Sequence, residues 1–231
     1  MIRALLAALA VLFPGPAQAE CRLALALALD ISSSVNSYEY DIQLGGIVRA
    51  LAAPDIREAI LAVPGASVHV TVYEWSGYVQ QDVIAPWTAL DSPADIDALA
   101  ARLATHRRIY SDFPTAIGKA LDYGRTLFDL LPVACTRRVI DISGDGVNND
   151  GNGPGVIQES GRLAGITVNA LVIKGAIPDP EAYYRDHVIH GPGAFLIVAR
   201  NGFEDYPELI RGKLLRELAP QLFIGALEAE R

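Results

Sequence analysis

Five residues in three segments of a 231-residue chain have the types and the placement to hold a hard cation. The first segment is Asp30-Ile31-Ser32-Ser33-Ser34, a carboxylate with two hydroxyls at alternate positions. The second, Ser111-Asp112-Phe113-Pro114-Thr115-Ala116-Ile117-Gly118, offers Thr115. The third, Asp141-Ile142-Ser143-Gly144-Asp145-Gly146, offers Asp145 between glycines that let the backbone turn sharply. Two carboxylates and three hydroxyls form an all-oxygen set suited to Mg²⁺ or Mn²⁺, with water completing an octahedron, and to Ca²⁺ as a further choice. No thiolate or imidazole lies in these segments, which argues against zinc or copper. Only two protein charges would face a dication, so the ion would stay electrophilic and an acidic group of a partner could complete its shell. Asp112, Ser143 and Asp150 are the candidates for an outer layer around it. Taken singly, each segment reads better as a turn or a helix cap, where Asp and Ser are favoured without any metal. Three together at strand ends favour the cation.

That placement depends on the elements around it. Residues 22–29 alternate Leu and Ala, a pattern open to strand or helix by itself. Asp30 and a Ser-rich turn follow, then a helical pattern over 37–52 with Ile42, Leu44, Ile47, Val48 and Leu51 near helical spacing, so the unit is strand, turn, helix. Residues 67–75 alternate strictly and, with Gly77 and a second alternating run over 78–84, predict a hairpin. Helices are expected over 93–103, with Ser92 as N-cap, and over 114–131, with Thr115 in its first turn. Residues 138–142 and 166–173 are continuous apolar runs, as in strands covered on both faces of a parallel sheet. A Gly/Asn/Asp loop and a short helix over 156–163 separate them. A strand over 194–199 and an amphipathic helix over 206–222 close the series. Strand and helix alternate with one hairpin, which predicts a doubly wound α/β fold, mostly parallel with one antiparallel strand and helices on both faces. Ligands of such sheets bind beyond the carboxyl ends of the strands.

Composition narrows the partners. Hydrophobic residues make up 51% and charged residues 20%, enough for one sizeable core. A formal charge of −8 disfavours nucleic acid, and the pairs Arg107-Arg108 and Arg137-Arg138 are too short to track phosphates. Residues 1–19 read as a secretory signal peptide: Met1-Ile2-Arg3 is a short positive start, residues 4–13 are apolar, and Ala17-Gln18-Ala19 before Glu20 has the small-x-small pattern of a signal peptidase site. Pro14, Gly15 and Pro16 cut the run well short of the roughly 20 apolar residues a membrane span needs. The mature domain is then 20–231, periplasmic or secreted. Cys21 and Cys135 are the two cysteines of the sequence, and in an oxidising compartment such a pair favours a disulfide.

Enzymatic readings find few footholds. There is no G-x-S-x-G elbow and no H-E-x-x-H, which leaves Ser143 and the histidines at 69, 106, 187 and 190. His187 and His190, at i and i+3, read as polar residues at a helix end because Gly191-Pro192 follows, and His69 reads as a strand residue. A metal-dependent hydrolase therefore ranks below a binding module and below a scaffold in which the metal serves folding. Residues 148–159 overlay a calcium loop of the EF-hand type, yet Asn148 stands where Asp is wanted and a strand leads in, so a surface loop near the cation is expected.

Asp30, Ser32 and Ser34, followed in order by Thr115 and Asp145, resemble the metal-ion-dependent adhesion site of the von Willebrand factor type A domain. Ser143-Gly144-Asp145-Gly146 stands where that family usually has Thr-Asp-Gly. The resemblance spans about residues 22–224 and narrows to uncharacterised exported bacterial proteins carrying such a domain. It implies a six-stranded sheet with a short antiparallel edge strand, a cation held by the five residues, a protein partner that supplies an acidic residue, and movement of the last helix coupled to the metal. It also makes the strands that follow Cys21 and Cys135 parallel neighbours, so that the two sulfurs would meet at the bottom of the sheet.

Overall fold

In β1 (Glu20–Asp30) the alternation of Leu and Ala sorts side chains by size between the two faces of a sheet. Leu23, Leu25, Leu27 and Leu29 join one hydrophobic cluster, and Ala24, Ala26 and Ala28 join the other. The computed structural model describes residues 20–219. The expected signal peptide over 1–19 and the end of the expected closing helix lie outside these residues. After β1 come α1 (Ser37–Ala52), α2 (Pro54–Leu61), β2 (Ala66–Trp75), β3 (Gln81–Ala89), α3 (Pro93–Thr105) and α4 (Ile117–Leu127). Then follow β4 (Arg138–Gly144), α5 (Pro154–Glu159), β5 (Thr167–Ile173), α6 (Pro180–Tyr183), β6 (Leu196–Ala199) and α7 (Tyr206–Leu218).

The strands form one sheet in the order β3-β2-β1-β4-β5-β6, parallel throughout except for β3, which runs antiparallel to β2 at the edge. This is the expected α/β architecture of the von Willebrand factor A type. Residues of α1, α2, α3 and α7 pack with the Leu face of β1, and residues of α4 and α5 pack with its Ala face, where the small side chains leave room for Tyr73 and Trp75. β1 and β4 are neighbours, paired from Ala24↔Arg138 to Leu29↔Ser143, so their carboxyl ends deliver Asp30 and Asp145 side by side. At the opposite end Cys21 and Cys135 form a disulfide with a Cα–Cα distance of 4.4 Å.

Several boundaries differ from expectation for local reasons. The second hairpin strand runs Gln81–Ala89 and not 78–84, because Ser76 N–H donates to Gln80 C=O and residues 77–80 form the turn. The helix expected over 114–131 starts only at Ile117 and passes into a 3₁₀ turn at Phe128–Leu130. Thr115 therefore precedes that helix: its N–H donates to the Asn149 side chain, and its carbonyl accepts from Asn149 and Asp150. The helix expected over 156–163 is α5, shifted toward the N-terminus, with Pro154 in its first turn and Gly161 and Gly165 at positive φ in the turns beyond it. α2 follows α1 after one residue, Ala53, and again has Pro in its first turn.

The face of α7 that meets the sheet is not apolar throughout. Lys213 and Glu217 are fully buried there, and Lys213 Nζ pairs with Asp141 Oδ1 of β4 at 2.6 Å and with Glu217 Oε1 at 3.2 Å. Asn169 of β5 donates to the same Glu217 oxygen at 2.7 Å. One lysine thus neutralises part of a buried pair of carboxylates and ties α7 to β4, while Glu217 ties the helix to β5. Removing its charge strands both, and loss of one partner of a buried ion pair costs about 3–5 kcal/mol. Lys213→Met should lower the unfolding free energy by that amount, read from equilibrium denaturation as a lower urea midpoint with an unchanged slope; a midpoint equal to wild type would show that the cluster does not anchor the helix.

Candidate metal centre

Asp30 ends β1 and its carboxylate turns back on its own loop: Oδ1 accepts the Ser32 N–H at 2.7 Å. That fixes Ser32, whose hydroxyl lies 3.0 Å from the Ser34 hydroxyl, and Ser34 Oγ donates to Asp145 Oδ1 at 2.7 Å. The first and third segments therefore meet. Thr115 is brought in from the side, with its hydroxyl 3.7 Å from where a Cβ on Gly146 would lie, so it flanks the residue after Asp145. Asp30, Ser32, Thr115 and Asp145 are buried and Ser34 is exposed. The cup opens past Ser34 and Asp145 onto a cleft of about 560 Å³ that Glu39, Lys174, Arg200 and Glu204 also line.

Burial, followed by the nearby charge of Asp145, raises the Asp30 carboxyl to about 7. The Asp145 carboxyl is raised as well, chiefly by burial, against the opposing hydrogen bond from Ser34. No Lys, Arg or His among the described residues forms an ion pair with either. Asp30 Oδ2 is buried without a hydrogen-bond partner. Two buried carboxylates without a cationic partner and three hydroxyls fit a divalent cation, which would supply the missing positive charge.

Cationic side chains lie close by, but their bonds go elsewhere. Arg108 donates to the carbonyls of Ile31 at 2.7 Å and Ser32 at 3.0 Å, and also to those of Val35 and Tyr110, so it clamps the loop from beneath and does not neutralise it. Its guanidinium lies over the Tyr40 ring, whose hydroxyl donates to the buried Glu74, and His106 pairs with the same Glu74 oxygen at 3.1 Å. Lys174 is paired with Asp179 and Glu181. Gln43 donates to the Asp30 carbonyl at 2.9 Å and accepts from Ser143 Oγ, which also lies 3.3 Å from the Tyr206 hydroxyl of α7.

Of the outer candidates, Ser143 thus joins Asp30 through Gln43, on the α1 and α7 side of the sheet. Asp150 Oδ2 accepts the Tyr78 N–H at 2.8 Å, and exposed Asp112 accepts from its neighbour Ser111. The stretch that overlays a calcium loop is a clamp: Asn148 and Asn149 side-chain oxygens accept from Gly118 N–H and Thr115 N–H. His187 lies in one turn of π-helix, Tyr184–Val188, whereas His190 pairs through its backbone with Val168, so the two do not share a helix face. His69 lies in β2, and among the described residues Ser143 forms no hydrogen bond with a histidine. The roles of Arg108, Gln43 and Tyr206 were not legible in the sequence because a polar side chain inside a helix or loop gives no sign of which backbone it will reach.

The family model described as "Protein of unknown function (DUF1194)" matches residues 20–222, and the chain belongs to that family. No curated protein matches the sequence. Among solved structures the chain is similar to proximal thread matrix protein 1 from the mussel byssus, in a structure with a zinc-occupied MIDAS motif, at TM-score 0.62 and 14% identity over 87% of this chain and 47% of that one. It is similar to a von Willebrand factor type A protein from Catenulispora acidiphila at TM-score 0.57 and 14% identity, over 87% of this chain and 44% of that one. It is also similar to the minor pilin PilB from Streptococcus sanguinis at TM-score 0.60 and 16% identity, over 89% and 64%. The chain spans less than two thirds of each of these structures, and at these identities the likeness shows the fold.

Two outcomes follow from this geometry. Arg108→Ala removes three hydrogen bonds from the loop that carries Ser32 and Ser34, those to the carbonyls of Ile31, Ser32 and Val35, and loss of an outer partner of this kind typically weakens metal affinity by about 10–100-fold; calorimetric titration of Mn²⁺ would read it, and an unchanged affinity would show that the loop holds its shape without the clamp. The second concerns pH. Folded Asp30 keeps its proton up to about 7 and folded Asp141, through burial, up to about 6, whereas both release it near 3.8 when unfolded. Through these two groups the folded chain binds more protons across that window, so their contribution to metal-free stability falls as pH rises from about 4 to about 7. Thermal melts in chelator should show the fall, and saturating Mn²⁺ should flatten the part due to Asp30.

Proposed function

We propose that this chain is an exported metal-ion-dependent binding module in which Asp30, Ser32, Ser34, Thr115 and Asp145 hold a Mg²⁺-type ion, and the ion captures an acidic group of a protein partner. The observation that carries this reading is the convergence of Asp30 and Asp145, both buried and without an ion-pair partner, on the hydroxyls of Ser32 and Ser34. Asp30 and Asp145 would supply charge and orient water, and Ser32, Ser34 and Thr115 would ligate through hydroxyl oxygens. Protein charges would neutralise the dication only formally. In a water-poor cup a further carboxylate is then a favourable ligand at the open side beside Ser34.

The surroundings favour a protein over a small molecule. Tyr38, Tyr78, Val79, Ile109 and Ile177 are exposed and sit on the α1 start and the loops at this same end of the sheet. Exposed apolar groups rimming a polar centre are typical of protein-binding faces. A pilin and a mussel byssus protein among the similar structures agree with such a role, and the expected signal peptide would bring residues 20–231 to the periplasm or the exterior. Among the described residues no helix is long and apolar enough to cross a membrane. Zinc in the mussel protein's motif removes the objection to that ion based on donor type, so the ion is a dication of open identity, with Mg²⁺ or Mn²⁺ preferred on donor hardness.

Calorimetric titration of Mg²⁺, Mn²⁺, Ca²⁺ and Zn²⁺ into chelator-treated protein tests the reading. One site is expected in wild type and none in Asp145→Ala or Ser32→Ala, with all three chains keeping a cooperative melt without metal. At a hundredfold excess over Kd the ion should stabilise wild type by about 2.7 kcal/mol. Folded wild-type protein that takes up no cation would reduce the five residues to turn and cap roles. Loss of the melt on chelation would instead make the metal a folding element.

A further inference from the structure

Behind Asp30, on the face of the sheet that carries the alanines, three polar atoms are buried without partners: Asp30 Oδ2, the Tyr184 hydroxyl and Trp75 Nε1. They are neighbours. A Cβ built on Gly144 would lie 2.3 Å from the Tyr184 hydroxyl, 2.8 Å from Asp30 Oδ2 and 3.3 Å from Trp75 Cζ2. The two oxygens are therefore within about 5 Å of each other, a span closed by one bridging water or a small side-chain rotation. Trp75 is the strand neighbour of Asp30, and Tyr184 begins the π-helical turn after α6, so three separate elements bring these groups together over a glycine.

The chemistry is complementary. A phenol and an indole present O–H and N–H donors, and a carboxylate oxygen is an acceptor. An unmade hydrogen bond in such a place costs about 1–3 kcal/mol per buried group, so the side chains gain by meeting. We propose that Tyr184 is a positioning residue for the cation site: its hydroxyl, with the Trp75 N–H beside it, donates to Asp30 Oδ2 and holds the carboxylate with its outward side aimed at the ion. Gly144 is required because any side chain there would occupy the place of the hydroxyl. The inference rests on the reading of the five residues as a metal centre, and it adds a requirement on the opposite side of Asp30 from the ion.

Tyr184→Phe removes one hydroxyl and leaves the ring, so it separates positioning from packing. Mn²⁺ titration should give an affinity about 10–100-fold below wild type, the usual effect of losing an outer-shell partner. Thermal melts in chelator should show a metal-free stability below wild type, because the bond from the hydroxyl to Asp30 Oδ2 has been lost. In a Trp87→Phe background, emission of Trp75 should change on Mn²⁺ addition and follow the same shifted curve in Tyr184→Phe. Equal Mn²⁺ affinity in the two proteins overturns the proposal. So does a metal-free melting temperature equal to or above wild type, which would show that the hydroxyl makes no bond to Asp30. Absence of Mn²⁺ binding by wild type is a different result, since it removes the metal centre itself.

Discussion

Asp30 and Asp145 end adjacent parallel strands, and the ladder between β1 and β4 leaves them no choice but to share one place. Like charges under burial repel, and desolvation opposes either ion. Much around them reads as an answer to that constraint. Ser32 N–H and Ser34 Oγ each donate to one of the carboxylates, while the arginine and lysine that might have neutralised them are bound to carbonyls or to other acids. A positive charge is thereby left to be supplied from outside. A site that carried its own cation would be stable and closed; this one is deficient in charge and open on one side.

The deficiency is tolerable because the loops are held by neutral and backbone contacts. Arg108 reaches four carbonyls, Gln43 takes the Asp30 carbonyl, and Asn148 and Asn149 hold the backbone around Thr115. None of these bonds involves the oxygens that face the cup. The framework that sets the geometry and the atoms that would meet an ion are thus distinct, so the ligand oxygens can exchange partners without dismantling the loops. α7 is anchored separately, by Lys213 to Asp141, lower on β4 than the Asp145 end, and by Glu217 to Asn169 of β5. Any displacement of that helix, as the family resemblance implies, must work against a buried ion cluster, whose rupture is far costlier than an exposed pair.

The strands were legible in the sequence because each carries an unambiguous apolar pattern once its neighbours are considered: Leu and Ala in 22–29, strict alternation in 67–75, continuous runs in 138–142 and 166–173. The grouping of Asp30, Ser32, Ser34 and Asp145 was legible for the same reason, since residues after parallel strands converge. Thr115 was placed in the first turn of a helix that begins two residues later, because Pro114 mimics a helix start while the Asn149 side chain takes the Thr115 N–H. Asn148 to Asp150 looked like cation ligands for a related reason. Oxygen-rich side chains bind backbone N–H and metal equally well, and only the fold decides which is within reach. Arg108, Tyr184 and Lys213 carried no signal, because each acts across more than twenty-five residues of sequence.

The disulfide lies at the far end of the two strands whose tips hold Asp30 and Asp145. A partner gripping the cation end would load β1 and β4 together along their length, and the covalent tie at their other end keeps either from sliding past its neighbour. Force would then have to shear a ladder of hydrogen bonds at once, with β2 and β5 on its flanks, where peeling an edge strand would break them one at a time. Under such a load the tie at Cys21 and Cys135 would keep the two carboxylates at the other end of the strands level.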